Sequence, residues 1–326
     1  MKIAVLPGLE DRTYVSHELH GAQRAWGETN CYIDVWIEVL NSLRLEPAAC
    51  LSTVFAIDFD GDQWTFFKPP HEDLFSLYGL DVQELNVWSS LSEQASMQLR
   101  LGRLVLAEMD AYFLPDTQGT DYRTQHTKTT ICMQEIDLEQ RALGYFHNRA
   151  YHRLEGEDFV QLFRVGFDTD KTYMPFFAEF VRLDRLERRP AAELAEIARE
   201  LLDKHLARRP SANPVAAFRA SFMAAVEQLK GDGLARYHAY AFATLRQLGA
   251  AFELGAYHLQ WLERHGQGDF AAAAGSFTAL SDTTKVLLLK AARAVAGKKP
   301  VDLGPMLDEM AAHWAKGMDE LDSARH

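Results

Sequence analysis

The sequence predicts an α+β protein whose C-terminal part is all-helical. Three observations lead there. A helical apolar stripe begins abruptly at Cys31. β-rich runs joined by short turns fill the stretch from Val54 to Phe146. Beyond Pro190 the composition shifts to Ala, Leu, Glu and Arg with three- and four-residue apolar spacing. The boundary falls between residues 188 and 189, giving an α+β domain over 1–188 and a helical bundle over 189–326.

The first thirty residues carry little periodicity and read as loop. Tyr32, Trp36, Val39, Leu40 and Leu43 then recur on one helical face, with Thr29 or Asn30 as the cap and Gly27 permitting a bend ahead of it. A hairpin is expected from Val54 to Ile57 and Trp64 to Phe67 around Asp60-Gly61, followed by a short helix closed by Gly79. Asp58, Asp60 and Asp62 lack the later glutamate of a calcium loop and read as a solvated turn. A strand begins at Leu104. A polar loop covers residues 116–125, His126 opens the next strand, and another runs from Ala142 to end at His147-Asn148. Residues 155–163 form a helix, and short turns make the pairing mostly antiparallel.

In the second half Pro190 and Asn213-Pro214 start helices, and a long helix spans residues 234–264. Asp269 and Ser281 cap two more, and Pro305 begins the last, with Leu307, Met310, Trp314 and Leu321 inward. The pattern is that of an up-and-down bundle. Its histidines His238, His258 and His313 lack the Glu-x-x-His spacing of bundle di-metal sites, so no metal site is expected.

The chain has 326 residues, 34 Lys and Arg against 46 Asp and Glu, and a formal charge of −12. That excess opposes broad nucleic-acid binding, which needs clustered cations. Three cysteines in a chain this long are no disulfide framework, and no apolar run approaches the roughly 18 residues that span a bilayer. The expectation is a cytoplasmic protein with reduced thiols and no membrane association. No Gly-rich phosphate loop, dinucleotide fingerprint or zinc spacing implies a cofactor.

One constellation has chemistry in it. A thiolate attacks where a thiol does not, and a helix N-terminus favours the anion through its unpaired N–H groups. An imidazole can take and return the proton, and a third polar group fixes its tautomer. Cys31 stands at a helix start, His126 at a strand start, and Asn148 at the end of the next strand. His147 is the alternative third member, because neighbours on a strand face opposite ways. Asn30, Gln23 and Lys128 are supporting candidates. Against this stands the bland reading: a small buried Cys and a structural His. Asp34, three residues after Cys31, would oppose a thiolate if it faced it, unless it turns outward or pairs with a cation such as Lys128. Cys50 and Cys132 read as packing residues, and His17, His20, His71 and His152 show no ligand spacing.

The segments Glu28-Thr-Asn-Cys-Tyr32, Gly61-Asp-Gln-Trp-Thr-Phe-Phe-Lys68, Tyr122-Arg-Thr-Gln-His126 and Gly144-Tyr-Phe-His-Asn148 resemble the bacterial family of domain of unknown function 1839 over nearly the whole chain. More distantly, the order Cys, His, Asn resembles papain-like thiol enzymes, the butirosin-pathway acyltransferases and bacteriocin-leader peptidases among them. That resemblance implies Cys31 as nucleophile, His126 as base and acid, and Asn148 as the orienting residue. It departs where papain-like enzymes carry an oxyanion Gln about six residues before the Cys. Ala25 stands there, with Gln23 or Asn30 as substitutes, and the usual Asp-Pro is His147-Asn148.

The function expected is transfer of an acyl or aminoacyl group from a carrier-protein thioester to a small-molecule amine, through acyl-Cys31. The phosphopantetheine arm of the carrier would be substrate rather than cofactor. Arg185, Arg188 and Arg189 are candidates for docking an acidic carrier. Two alternatives stay open: a peptidase or amidase with the same triad, and a non-catalytic binding protein that keeps the fold.

Overall fold

The computed structural model describes residues 1–167, 174–298 and 300–324. Along the chain run β1 (Ile3–Ala4), α1 (Cys31–Ser42), β2 (Phe59–Asp60), β3 (Gln63–Trp64), α2 (His71–Tyr78), β4 (Asp81–Glu84), α3 (Leu91–Arg100), β5 (Leu104–Asp110), β6 (Lys128–Asp137), β7 (Ala142–His147), β8 (Ala150–Glu155), α4 (Glu157–Leu162) and β9 (Ala178–Arg182). Six helices follow: α5 (Ala191–Leu206), α6 (Pro214–Asp232), α7 (Leu234–Ala243), α8 (Leu245–Arg264), α9 (Ala271–Gly297) and α10 (Gly304–Ser323). The protein is α+β, with an antiparallel sheet and a helical C-terminal part.

Two compact units share the chain. The first comprises Met1–Ala22, Asn30–Pro47 and His71–Arg188. The second comprises Gln23–Thr29, Ala48–Pro70 and Arg189–His326. A single cut at 188 therefore leaves two earlier segments on the wrong side. Their side chains explain it. The Trp26 indole donates to Ser281 Oγ at 2.8 Å, and Phe59 and Trp64 meet the Phe218 ring with centroids 5.2 and 5.6 Å away.

The sheet of the first unit has the order β4-β9-β5-β6-β7-β8, with β1 paired to β6, every pair antiparallel. Alternation along each strand assigns the two faces. Val105, Ala107, Met109, Ile131, Met133, Leu143 and Tyr145 form one core with Leu91, Ala95 and Leu99 of α3 and Phe159 and Leu162 of α4. The opposite face carries Leu106, Glu108 and Asp110 of β5, Lys128, Thr130 and Cys132 of β6, and Glu179 of β9. α1 packs on this second face, its Tyr32 hydroxyl reaching Glu179 Oε2 at 2.9 Å and Cys31 reaching Thr130.

Several local expectations shift. Residues Ser52–Ala56 form a 3-10 turn, and the hairpin is the short β2–β3 pair around Gly61, whose φ is +64°. β6 begins two residues after His126. β8, α3, β4 and β9 add elements that the apolar patterning did not mark. The long helix of residues 234–264 breaks at Thr244 into α7 and α8. Ser281 caps nothing. It lies inside the 27-residue α9, donating to Gly249 O at 2.8 Å. Asn213 caps α6 by accepting from Val215 N and Ala216 N, as Asn before Pro at a helix start should.

Candidate functional site

Cys31 is the first residue of α1, and Asn30 is its N-cap, Oδ1 accepting from Ile33 N at 3.3 Å. Asp34 Oδ2 accepts from Asn30 N at 3.2 Å, so two of the donors orphaned at a helix start are satisfied by side chains. Asp34 does not pair with Lys128. It is buried, and its Oδ1 lies 3.3 Å from His20 Nε2. Its charge is thereby matched by an imidazole of the loop ahead of α1.

His20 is the centre of a buried network. Its Nδ1 donates to Glu38 Oε1 at 2.5 Å, and Glu38 also accepts from the Tyr14 hydroxyl at 2.5 Å, from His17 N at 3.1 Å and from Asn41 Nδ2 at 3.3 Å. Burial by itself depresses the His20 pKa. The hydrogen bonds and attraction of Asp34 and Glu38 outweigh it and raise the group to about 9. The imidazolium is thus a structural cation that holds α1 in place.

The Cys31 thiol is half-buried and reduced, and Sγ donates to Thr130 Oγ1 across 3.6 Å. Beyond Thr130 a polar shelf continues along β5 and β6. Glu108 is register-paired with Thr130, and its Oε1 accepts from Lys128 Nζ at 2.8 Å. Asp110 is paired with Lys128, and its Oδ2 accepts from His126 Nδ1 at 2.6 Å. The His126 ring stacks on Tyr112 at 4.3 Å and is mostly solvent-exposed. Among the described residues its Nε2 edge meets no protein partner. A second imidazole–carboxylate pair, His71 Nε2 with Glu179 Oε1 at 3.2 Å, borders the shelf beside Tyr32, 3.0 Å from that nitrogen.

The sequence candidates therefore separate. Thr130, not an imidazole, stands beside the thiol. Thr130 and His126 are four residue steps apart, about 13 Å at strand rise. Asp110, not Asn148, orients His126. Asn148 occupies the two-residue turn between β7 and β8 with φ +49°, a left-handed conformation that Asn tolerates. His147 sits on the α3 face and is buried. Its Nδ1 donates to Asp116 Oδ2 at 2.5 Å, and its Nε2 lies 2.8 Å from Thr129 Oγ1. Burial alone would raise the Asp116 carboxyl. His147 and the Tyr145 hydroxyl outweigh it and hold that carboxyl below the usual range. The group ties the turn Pro115–Thr117 to the sheet.

Asn30 is committed to capping, and Gln23 belongs to a segment of the second unit. Lys128 is paired with Glu108. Arg185 and Arg188 are exposed beyond β9, whereas Arg189 pairs with Glu193 at 2.5 Å. A cleft of about 690 Å³ opens on the α3–α4 side, lined among others by Trp88, Leu91, Phe163 and Phe176, and none of the sequence candidates lines it. Among the described residues no cluster of His, Cys, Asp and Glu could hold a metal ion, and no helix is long and apolar enough to cross a membrane.

The candidate-site residues that sequence reading missed are Glu108, Asp110, Thr130 and Glu179. No local signal marks them, since strand register brings each to its partner.

Residues 15–183 match the DUF1839 N-terminal domain and residues 191–323 the DUF1839 C-terminal domain. The chain belongs to the DUF1839 family. Both halves of the DUF1839 architecture are thus represented, and the thiol, the shelf and both imidazole–carboxylate pairs fall inside the N-terminal match. No curated protein matches the chain.

Proposed function

We propose that this DUF1839 protein is a papain-like thiol enzyme that transfers an acyl or aminoacyl group from a thioester to an amine. The observation that carries the reading is the half-exposed Cys31 at the head of a twelve-residue helix, opening onto a shelf of ionisable side chains. In the first step the Cys31 thiolate adds to the donor carbonyl, the donor C–S bond breaks, and the departing thiolate takes a proton. This exchange is nearly balanced in energy, so positioning and thiolate formation supply most of what it needs. In the second step an amine attacks the acyl-Cys31 carbonyl, loses a proton to a base and expels Sγ. With His126 about 13 Å of strand from Thr130, that base is assigned instead to His71, which is held by Glu179 and borders the shelf beside Tyr32, the residue after Cys31. Water in place of the amine would make the same site a hydrolase.

One observation favours a second, non-catalytic reading: the neighbour of Sγ is the Thr130 hydroxyl rather than an imidazole. Intact-protein mass separates the two. The parent and the variants Cys31→Ser, His126→Ala and His71→Ala are incubated with small-molecule acyl thioesters and with acyl-loaded carrier protein. The expected result is an adduct on the parent, none on Cys31→Ser, and about 100-fold slower release by amine in the variant lacking the base. If no thioester labels the parent, and iodoacetamide alkylates Cys31 no faster than a free cysteine peptide at neutral pH, the binding-protein reading replaces the enzyme.

A further inference from the structure

The second unit carries a cationic, partly apolar stripe that none of the chemistry above uses. Between Asp282 and Asp302 the sequence holds five Lys and Arg residues and no Asp or Glu, in a chain whose formal charge is −12. Most of this stretch is the C-terminal half of α9. Lys285, Lys290 and Arg293 are exposed there at spacings of five and three, within one broad outward face. Among the described residues none of the three meets a carboxylate. Elsewhere the described cations are commonly paired, as Arg209 is with Asp322 and Arg219 with Asp308.

The same face exposes two aliphatic side chains, Val286 at 46% and Leu289 at 52%. The inward face is conventional core: Leu287, Ala291, Ala294 and Val295 are buried. α7 is fastened alongside by the Tyr237 hydroxyl, which donates to Leu288 O at 2.6 Å. An exposed Val–Leu step flanked by cations that meet no carboxylate among the described residues has two requirements at once: apolar contact over the centre and carboxylates around it.

We infer that this stripe of α9 docks an acidic amphipathic helix of a partner protein. Charge complementarity decides between occupants. A membrane surface that attracts lysines is anionic and repels the remainder of a −12 chain, and two aliphatic side chains are little to insert. A helix with Glu or Asp on either side of an apolar ridge matches both features. In the acyl-transfer reading, on which this identification rests, that partner is the acidic carrier that brings the thioester.

The test uses the full chain and a fluorescent, acidic amphipathic helical peptide with a leucine ridge, followed by anisotropy at increasing salt. Binding is expected at low ionic strength and should weaken steeply as salt rises. The triple reversal Lys285→Glu, Lys290→Glu, Arg293→Glu should weaken it at least about tenfold, as should Val286→Ser with Leu289→Ser. Reversal of Arg44 and Arg100, exposed cations of the first unit, should leave it unchanged. All these side chains are exposed, and an unchanged circular-dichroism melt confirms that each variant folds. Should the triple reversal fail to fold, the Val286–Leu289 variant decides alone.

Absence of saturable binding, or equal binding by the reversed variant, overturns the proposal. So does tighter binding to vesicles of anionic phospholipid than to the peptide. Small-molecule thioester labelling of Cys31 needs no docking helix. Its persistence beside failed peptide binding therefore sinks the docking surface alone, and its loss sinks the transferase reading instead.

Discussion

Replacing His20 with alanine is expected to destabilise the first unit by about 3–5 kcal/mol, the usual consequence of removing one partner from a buried ion pair. Asp34 and Glu38 would be left in α1, the latter with no solvent exposure, and facing no cation. Urea unfolding at pH 7 measures the loss. The double variant His20→Ala, Glu38→Gln should recover part of it, because the uncompensated charge goes with its partner. The network also fixes a pH dependence. The folded value of about 9 stands above the ordinary 6.5, so the protonated ring favours the folded state. Its contribution is complete below pH 6.5 and lost as pH rises through 9, an amount of roughly 3 kcal/mol. Melting curves from pH 6 to 9.5 should fall for the parent and lie flatter for His20→Ala. Parallel curves would show that the ring is not charged.

Gly79→Ala should be as damaging, for a backbone reason. Gly79 ends α2 at φ +67°, and a Cβ there would lie 1.8 Å from Arg185 O. That oxygen belongs to the segment after β9, which Glu187 N fastens to Tyr78 O at 2.9 Å. The methyl cannot be accommodated by turning a side chain, because the obstruction is main chain. Gly102→Ala is the matched control, with φ +72° and nothing within 4 Å of the added carbon. The control should cost about 1 kcal/mol from backbone strain alone, and Gly79→Ala at least about 3 kcal/mol. Equal losses in urea titrations would mean that the segment after β9 yields freely.

What could be read in the sequence was local. Thr29-Asn30 before an apolar helical stripe located the start of α1, with Asn30 proving to be the cap, Asn213-Pro214 that of α6, and Gly79 the end of α2. The shift from strands to helices near Pro190 was a change of period that needs no tertiary knowledge. The antiparallel, α+β character followed from short turns. The missing parts depend on register. Asp110 and His126 lie 16 residues apart, and only the β5–β6 ladder makes them neighbours. Thr130 gained its position beside Cys31 from the packing of α1 on that ladder, 99 residues away in sequence. Asn148 illustrates the converse. An Asn at a strand end fits an orienting role and a left-handed turn equally well, and β8, whose alternation is weak, was needed to choose the turn. β4 at the sheet edge and β9 beside it are short and mix polar with apolar residues, so apolar periodicity did not mark them.

The three thiols differ in one more respect. Cys50 and Cys132 are sealed at 3% and 0% exposure, and burial drives the Cys132 thiol far above its ordinary pKa, whereas Cys31 meets solvent. The folded wild-type chain therefore offers a maleimide dye or a spin label a single address, at the head of α1, with no cysteine to remove and none to introduce. A reporter attached there would sense occupancy of the shelf directly, so ligands could be screened by emission or line shape before any reaction is known.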